Sequence, residues 1–145
     1  MLSKTGRYGI RALLYLAANS SEGHLIGVKD LAQQTEISEH MLSKVLQFLT
    51  RQGLITSKKG RRGGFYLTPE QKNLNLAQVI KALEQTEYLI SVCLLGQKHC
   101  NSRMQCPYQD RVARIRMELS AIYASDTVEQ TAQKIMDSYS LHKKI

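Results

Sequence analysis

A mainly α fold with one small β hairpin is predicted for this chain of 145 residues by three features of its sequence. Apolar residues recur at helical spacing in three successive stretches, Ile10 to Ala17, Val28 to Ala32 and Leu42 to Leu49. Directly after the third, "GLITSKKGRRGGFYLT" places two short apolar runs on either side of a basic, glycine-rich tip. Nearer the C-terminus, Tyr108, Val112, Ile115, Leu119 and Ile122 are spaced four, three, four and three apart, the seam of a long helix. The architecture these features predict is a winged helix-turn-helix unit with a small β wing over residues 1–85 and a cysteine loop over 86–107. A long dimerisation helix over 108–124 and a C-terminal helix with a basic tail over 125–145 complete it.

Taken in order, Ile10, Leu13, Leu14 and Ala17 put one stripe on a first helix from about Thr5 to Asn19, which "SSEG" ends. Val28, Leu31 and Ala32 mark a second helix over Val28 to Gln34. After a short break at Ile37, Ser38 is a good N-cap for a third, with Leu42, Val45, Leu46 and Leu49 inward and Gly53 as its stop. Two helices joined by a tight turn, the second longer, form a helix-turn-helix. The outward face of the second carries His40, Ser43, Lys44, Gln47 and Arg51. Strands are expected at Leu54 to Thr56 and Phe65 to Leu67, with Gly60, Gly63 and Gly64 permitting the reversal. Asn75 and Gln78 resemble a capping box opening a helix with Leu76, Val79, Ile80 and Leu83 on one face. Pro107 can sit in the first turn of the long helix. Thr127 and Gln130 open a last helix bearing Val128, Ala132 and Ile135.

Charge gives this architecture a partner. The chain carries a net charge of +8, which points to an anionic surface. Between Glu39 and Glu70 there is no acidic residue, while Lys44, Arg51, Lys58, Lys59, Arg61 and Arg62 all fall there. A solvated surface ordinarily mixes signs, so a window of one sign is a candidate phosphate-binding face. Combined with the helix-turn-helix, it implies a double-stranded DNA operator as partner, read by His40, Ser43, Lys44, Gln47 and Arg51 and held by Lys58, Lys59, Arg61 and Arg62. DNA half-sites lie about one helical turn apart, so the protein is expected to act as a homodimer through Tyr108, Val112, Ile115, Leu119 and Ile122. No apolar run approaches the roughly 20 residues of a membrane span. Lys4, Arg7 and Arg11 interrupt the N-terminal apolar residues, so no membrane partner and a cytoplasmic location are expected.

All three cysteines, Cys93, Cys100 and Cys106, lie in "CLLGQKHCNSRMQC". Three thiols cannot all pair within one chain, and in a reducing compartment a tight group of them is a metal, redox or catalytic feature more often than a disulfide scaffold. Structural zinc favours C-x2-4-C, which neither gap here matches. Iron-sulfur clusters tolerate wider spacing, and three thiolates leave one position for another ligand. Three unconnected packing cysteines remain the plain alternative.

The motifs "GRYGIRALLYLA", "ISEHMLSKVLQFLTRQGLI", "KKGRRGGFYL" and C-x6-C-x5-C-P resemble, in the same order, the bacterial winged-helix regulators that include IscR, NsrR and CymR, over about residues 1 to 125. The resemblance implies a dimeric transcription regulator whose loop holds a 2Fe-2S or 4Fe-4S cluster through Cys93, Cys100 and Cys106 and reports iron-sulfur status, nitric oxide or oxidative stress. Two positions depart from the family pattern. Gln109 stands where the IscR branch has a ligand histidine, and Tyr8 where the NsrR branch has an acidic residue. Asp110, Gln109 and His99 are therefore the local candidates for a fourth ligand, with His24 or an external thiol beyond them. Ser43 replaces a glutamate of the IscR recognition helix, so the operator sequence does not transfer. The competing reading is a DNA-binding regulator that responds through thiol oxidation or a partner protein, without a cluster. No Ser-His-Asp order, paired carboxylate motif or nucleotide fingerprint suggests an enzyme, and a reactive cysteine beside His99 is the one feature that keeps that class in view.

Overall fold

The structure, a computed structural model, describes residues 2–84, 95 and 106–140. Its elements are α1 (Lys4–Asn19), α2 (Val28–Thr35), α3 (Glu39–Arg51), β1 (Thr56–Lys58), β2 (Gly64–Tyr66), α4 (Pro69–Lys72), α5 (Leu76–Glu84), α6 (Gln109–Ser125) and α7 (Val128–Ser140). The mainly helical fold with one small hairpin is the one expected. Helix α1 is central and touches α2, α3, α5, β2 and α7. It starts one residue earlier than the apolar spacing indicates, because the Ser3 hydroxyl accepts a hydrogen bond from the Gly6 N–H at 3.0 Å. Close packing of α1 on α5 requires small residues: a Cβ on Gly9 would lie 2.6 Å from Leu83 Cδ2.

The helix-turn-helix is built as its spacing demands. Leu31 and Ala32 of α2 and Leu42, Val45, Leu46 and Leu49 of α3 enter one core with Leu13 and Leu16 of α1. Each leucine or valine among them contributes about 1.5–3 kcal/mol on burial. Glu36 makes the turn in the left-handed region, with φ 54°, and buried Ile37 anchors it, donating its N–H to Ala32 O at 3.2 Å. Ser38 occupies the N-cap of α3, but its side chain makes no capping bond. The helix is held by the apolar face it buries rather than by that hydroxyl.

The hairpin lies slightly away from the segments its apolar residues mark: β1 starts two residues later than Leu54, and β2 one residue before Phe65. Leu54 and Ile55 are instead drawn into the core, leaving the more exposed TSK stretch to pair. Thr56, Ser57 and Lys58 face Tyr66, Phe65 and Gly64 in antiparallel register. Ile26, just before α2, exchanges both backbone hydrogen bonds with Phe65 at 3.0 and 2.9 Å, so β2 is flanked on both sides. At the tip, Gly60 has φ 116° and its carbonyl accepts from the Gly63 N–H at 2.9 Å. A Cβ on Gly63 would overlap the Lys58 carbonyl oxygen and sit 2.9 Å from the Lys59 carbonyl carbon, backbone atoms that cannot rotate aside. Gly63→Ala is therefore expected to distort the tip while sparing the helices, at about 1–3 kcal/mol. Urea unfolding and amide chemical shifts check this; unchanged stability with unchanged shifts over residues 56–66 would contradict it.

Helix α4 was not foreseen from sequence. Thr68 and Gln71 close a capping box around Pro69, and Gln71 Nε2 also donates to Gly53 O at 2.9 Å while Thr56 Oγ1 donates to Gln71 Oε1 at 3.1 Å. One side chain thus ties the end of α3 to the root of the wing. The capping boxes expected at Asn75/Gln78 and Thr127/Gln130 are both formed. Sequence left open what the last helix covers. Val128 and Ala132 of α7 are buried in the same core as α1, and Val128 N–H donates to Leu74 O at 2.7 Å. Among the described residues no helix is long and apolar enough to cross a membrane.

Candidate nucleic-acid interface and cysteine segment

With Leu42, Val45, Leu46 and Leu49 turned inward, helical geometry sends the intervening side chains out. His40, Lys44, Gln47 and Arg51 are exposed and Ser43 is half-buried. The wing folds back so that its strands face this side of α3. Between them runs a groove made of two adjoining hollows of about 530 and 400 Å³. Gln47 and Arg51 meet Lys58 and Lys59 along the first, and Ser43 joins at the second. The structure thereby brings together five of the residues singled out from sequence. His40 and Lys44, earlier on α3, and Arg61 and Arg62, at the wing tip, do not line the groove; all four are exposed beside it. Thr50 and Phe65 also line the groove and were missed. Thr50 lies three residues after Gln47, a spacing that could have shown it; Phe65 read only as an apolar strand residue.

The face keeps its positive sign. The ion pair found there among the described residues is Lys58 with Glu22, at 3.4 Å and exposed on both sides, worth about 0–1 kcal/mol. Lys58 Nζ also lies 5.4 Å from the centre of the Tyr66 ring, which holds its stem along the wing. A helix standing out beside a cationic hairpin matches the major groove of B-DNA, about 12 Å wide, flanked by phosphates.

Of the cysteine segment, Cys106 lies among the described residues; Cys93, Cys100 and His99 do not. Cys106 is a half-buried free thiol whose carbonyl accepts the Gln109 N–H at 3.1 Å, in the turn that opens α6. Gln109 and Asp110 are exposed in the first turn of that helix. His24 is exposed in the turn after α1, bridged to Ser21. Among the described residues no group of three or more His, Cys, Asp or Glu side chains is placed to hold a metal ion.

The seam on α6 divides. Val112 sits with Arg116, Ser120 and Tyr123 on a half-buried face, and the helix packs against α5. Beside it, Ile115, Leu119 and Ile122 follow one another a turn apart, with Tyr108 two turns before Ile115, exposed by 57, 37, 64 and 46%. Scattered exposed apolar residues are ordinary, whereas a contiguous stripe marks an interaction surface.

A helix-turn-helix whose second helix shares a basic groove with a glycine-tipped hairpin defines a winged-helix regulator. The sequence profile of the Rrf2 family, described as "Iron-dependent Transcriptional regulator", matches residues 2–141. The chain belongs to the Rrf2 family of transcriptional regulators. It is 37% identical over 86 residues to protein rrf2 of Nitratidesulfovibrio vulgaris, covering 59% of this chain and 57% of that protein. To the HTH-type transcriptional regulator NsrR of Bacillus licheniformis it is 34% identical over 94 residues, 64% of each. The match thus spans less than two thirds of either relative. The structure of CymR, the global cysteine regulator of B. subtilis, superposes with a TM-score of 0.75 at 28% identity, over 92% of this chain and 97% of that one. The resemblance to the family of NsrR and CymR read from the motifs is the one these comparisons give, and the family is one of regulators rather than enzymes.

Proposed function

We propose that the protein is a homodimeric DNA-binding regulator whose operator affinity is set by an iron-sulfur cluster held on Cys93, Cys100 and Cys106. The observation that carries the DNA reading is the groove in which Ser43, Gln47 and Arg51 of α3 stand with Lys58 and Lys59 of the wing. Helix α3 enters the major groove with Ser43 and Gln47 toward base edges, and Lys44, Arg51 and the wing cations Lys58, Lys59, Arg61 and Arg62 toward phosphates; His40 stands at the N-terminal end of the same face. Dimerisation through Tyr108, Ile115, Leu119 and Ile122, with Val112 at the edge of the seam, covers the exposed stripe and pairs two recognition helices.

The donor chemistry of the cysteine segment suits a cluster. Three thiols lie within one short segment, Cys106 is half-buried and unpaired, and the family carries an iron-dependent description. Bound there, a cluster supplies a centre that reacts to oxidants, nitric oxide or iron supply. The protein's own residues supply the rest: thiolates that hold it, Asp110, Gln109 or His99 as candidates for the remaining position, and α6 directly after Cys106. A second reading has its own support. Cys106 is a half-buried free thiol, so response by thiol oxidation without a cluster competes. The absorption spectrum and iron content of protein prepared without oxygen separate the two: thiolate-to-iron bands with stoichiometric iron for the first, colourless iron-free protein for the second.

For DNA, Arg61→Ala and Arg62→Ala are expected to weaken binding to all sequences and to flatten its salt dependence by about one unit of slope per lost phosphate contact. Gln47→Ala and Ser43→Ala are expected to change base preference, at about 1–3 kcal/mol of discrimination per lost base contact. Selection from a random-sequence DNA pool, followed by titration at several salt concentrations, measures both. Uniform loss on every sequence from all four variants would refute this division of labour.

A further inference from the structure

A cavity of about 350 Å³ opens between α1, the C-terminal end of α2 and α7, away from the groove beside the wing. Its volume falls at the lower end of the roughly 300–1,000 Å³ of small-molecule sites. Leu14 and Ala18 on α1 face Ile135 and Met136 on α7, so most of its wall is apolar. At one side stand Arg11 and Tyr15, four residues apart and hence one turn apart on the same helix face. Arg11 is exposed, is the one charged residue of the lining, and has no ion-pair partner among the described residues.

Arg11 and Tyr15 offer donors there, while the amides of Asn19 and Gln34 offer an oxygen as well as N–H groups. The Tyr15 hydroxyl has no hydrogen-bond partner among the described residues; burial, and then the nearby Asp30 carboxylate, raise its pKa, so it stays protonated and can donate. Asp30 itself does not line the cavity. Two neighbouring polar side chains are already committed: Asn19 Nδ2 donates to Tyr15 O at 2.9 Å, and Thr35 Oγ1 donates to Leu31 O at 2.6 Å. A guanidinium and a phenol O–H above an apolar wall suit a ligand with a carboxylate at one end and hydrocarbon at the other. A helix of a second copy, about 10–12 Å across, is too broad for this volume. Lys143 and Lys144, beyond the described residues, carry the same sign of charge as Arg11.

We propose that this cavity is a binding site for a small carboxylate with an apolar body, of the size of a medium-chain or aryl-alkanoic acid. Gln34 and Thr35 of its rim immediately precede Glu36, the left-handed residue of the helix-turn-helix, so an occupant rests against the element that positions α3.

The test uses the full chain without DNA, so its failure would leave the DNA-binding reading untouched. Octanoate, octan-1-ol and octylamine are titrated by calorimetry and amide proton–nitrogen spectra. Octanoate is expected to saturate, with shifts centred on residues 11–19, 34–35 and 132–136, and to bind about tenfold or more tightly than octylamine. Arg11→Gln, at an exposed position, is expected to lower octanoate affinity about tenfold and leave octanol binding unchanged. Ala18→Trp, also at an exposed position, fills the mouth and should block both ligands. Equal affinity for octanoate and octylamine, shifts centred on the α6 stripe, binding unaffected by either variant, binding only after removal of residues 141–145, or no saturable binding would each overturn the proposal.

Discussion

Alanine in place of any one of Cys93, Cys100 or Cys106 is expected to abolish the visible absorption of anaerobically prepared protein while leaving the fold in place. Two thiolates and one weaker ligand seldom hold a cluster against loss to solvent. The fold is expected to survive because the core of the described residues is drawn from between Ala12 and Leu83 together with Val128 and Ala132. Operator affinity should nevertheless change. Glu84 Oε1, at the end of α5, accepts from the Ser3 N–H at 3.0 Å and the Ser3 hydroxyl at 2.9 Å, so the residue at which the chain leaves α5 for the cysteine segment is tied to the start of the central helix. On the far side, Cys106 leads within a turn into α6, which packs on α5. A coupling of about 1–3 kcal/mol, or about 5- to 150-fold in affinity, is the usual size for such a link. Iron content, spectrum and operator affinity on the same preparations decide the matter. Unchanged affinity after cluster loss would remove the sensing role and leave DNA binding. Asp110→Ala, Gln109→Ala and His99→Ala, measured alongside, identify the fourth ligand as the one whose loss matches that of a cysteine.

Ile115→Glu and Leu119→Glu are expected to convert a dimer into a folded monomer. Both side chains are exposed within the chain, by 57 and 37%, so a carboxylate there costs the isolated protomer little. In a dimer covering the stripe, each substitution would bury two carboxylates facing one another across the two-fold axis, without partners. That penalty is about several kcal/mol for each ion. Sedimentation velocity with thermal unfolding separates association from folding. A dimer that persists in both variants would show that α6 is not the interface. Operator binding should fall with the dimer, since two linked recognition helices gain affinity by acting together.

Much of this is legible in the sequence because it rests on local periodicity. The stripe of α3 buries every residue its spacing marks, whereas Ile10 and Leu14 of α1, Val28 of α2 and Leu76 of α5 are only half-buried, and the face α1 turns inward is centred on Ala12, Leu13 and Leu16. Both capping boxes form where Asn75 and Thr127 announce them. A side chain's direction along a helix follows from 3.6 residues per turn alone, so the outward set on α3 and the one-signed charge around the wing could be read from sequence. The short helix α4 was not, because four residues are too few to show a period and its capping box follows a strand rather than a loop.

Other features depend on which surfaces meet. Val112 and Ile115 read alike in sequence; packing against α5 half-buries the first face and leaves the second bare. That Ile26 flanks the wing and that α7 packs on α1 could not be read, because both contacts are between residues far apart in the chain, where periodicity carries no information. The cavity under Arg11 and Tyr15 has the same origin: it is the space left where three helices with unequal side chains fail to fill one another, and no single helix encodes it. The order of residues dictates which face of each helix seeks burial, since the hydrophobic effect acts on every side chain separately. Which buried faces are joined, and which apolar stripe remains open, was decided by the packing of all the elements at once.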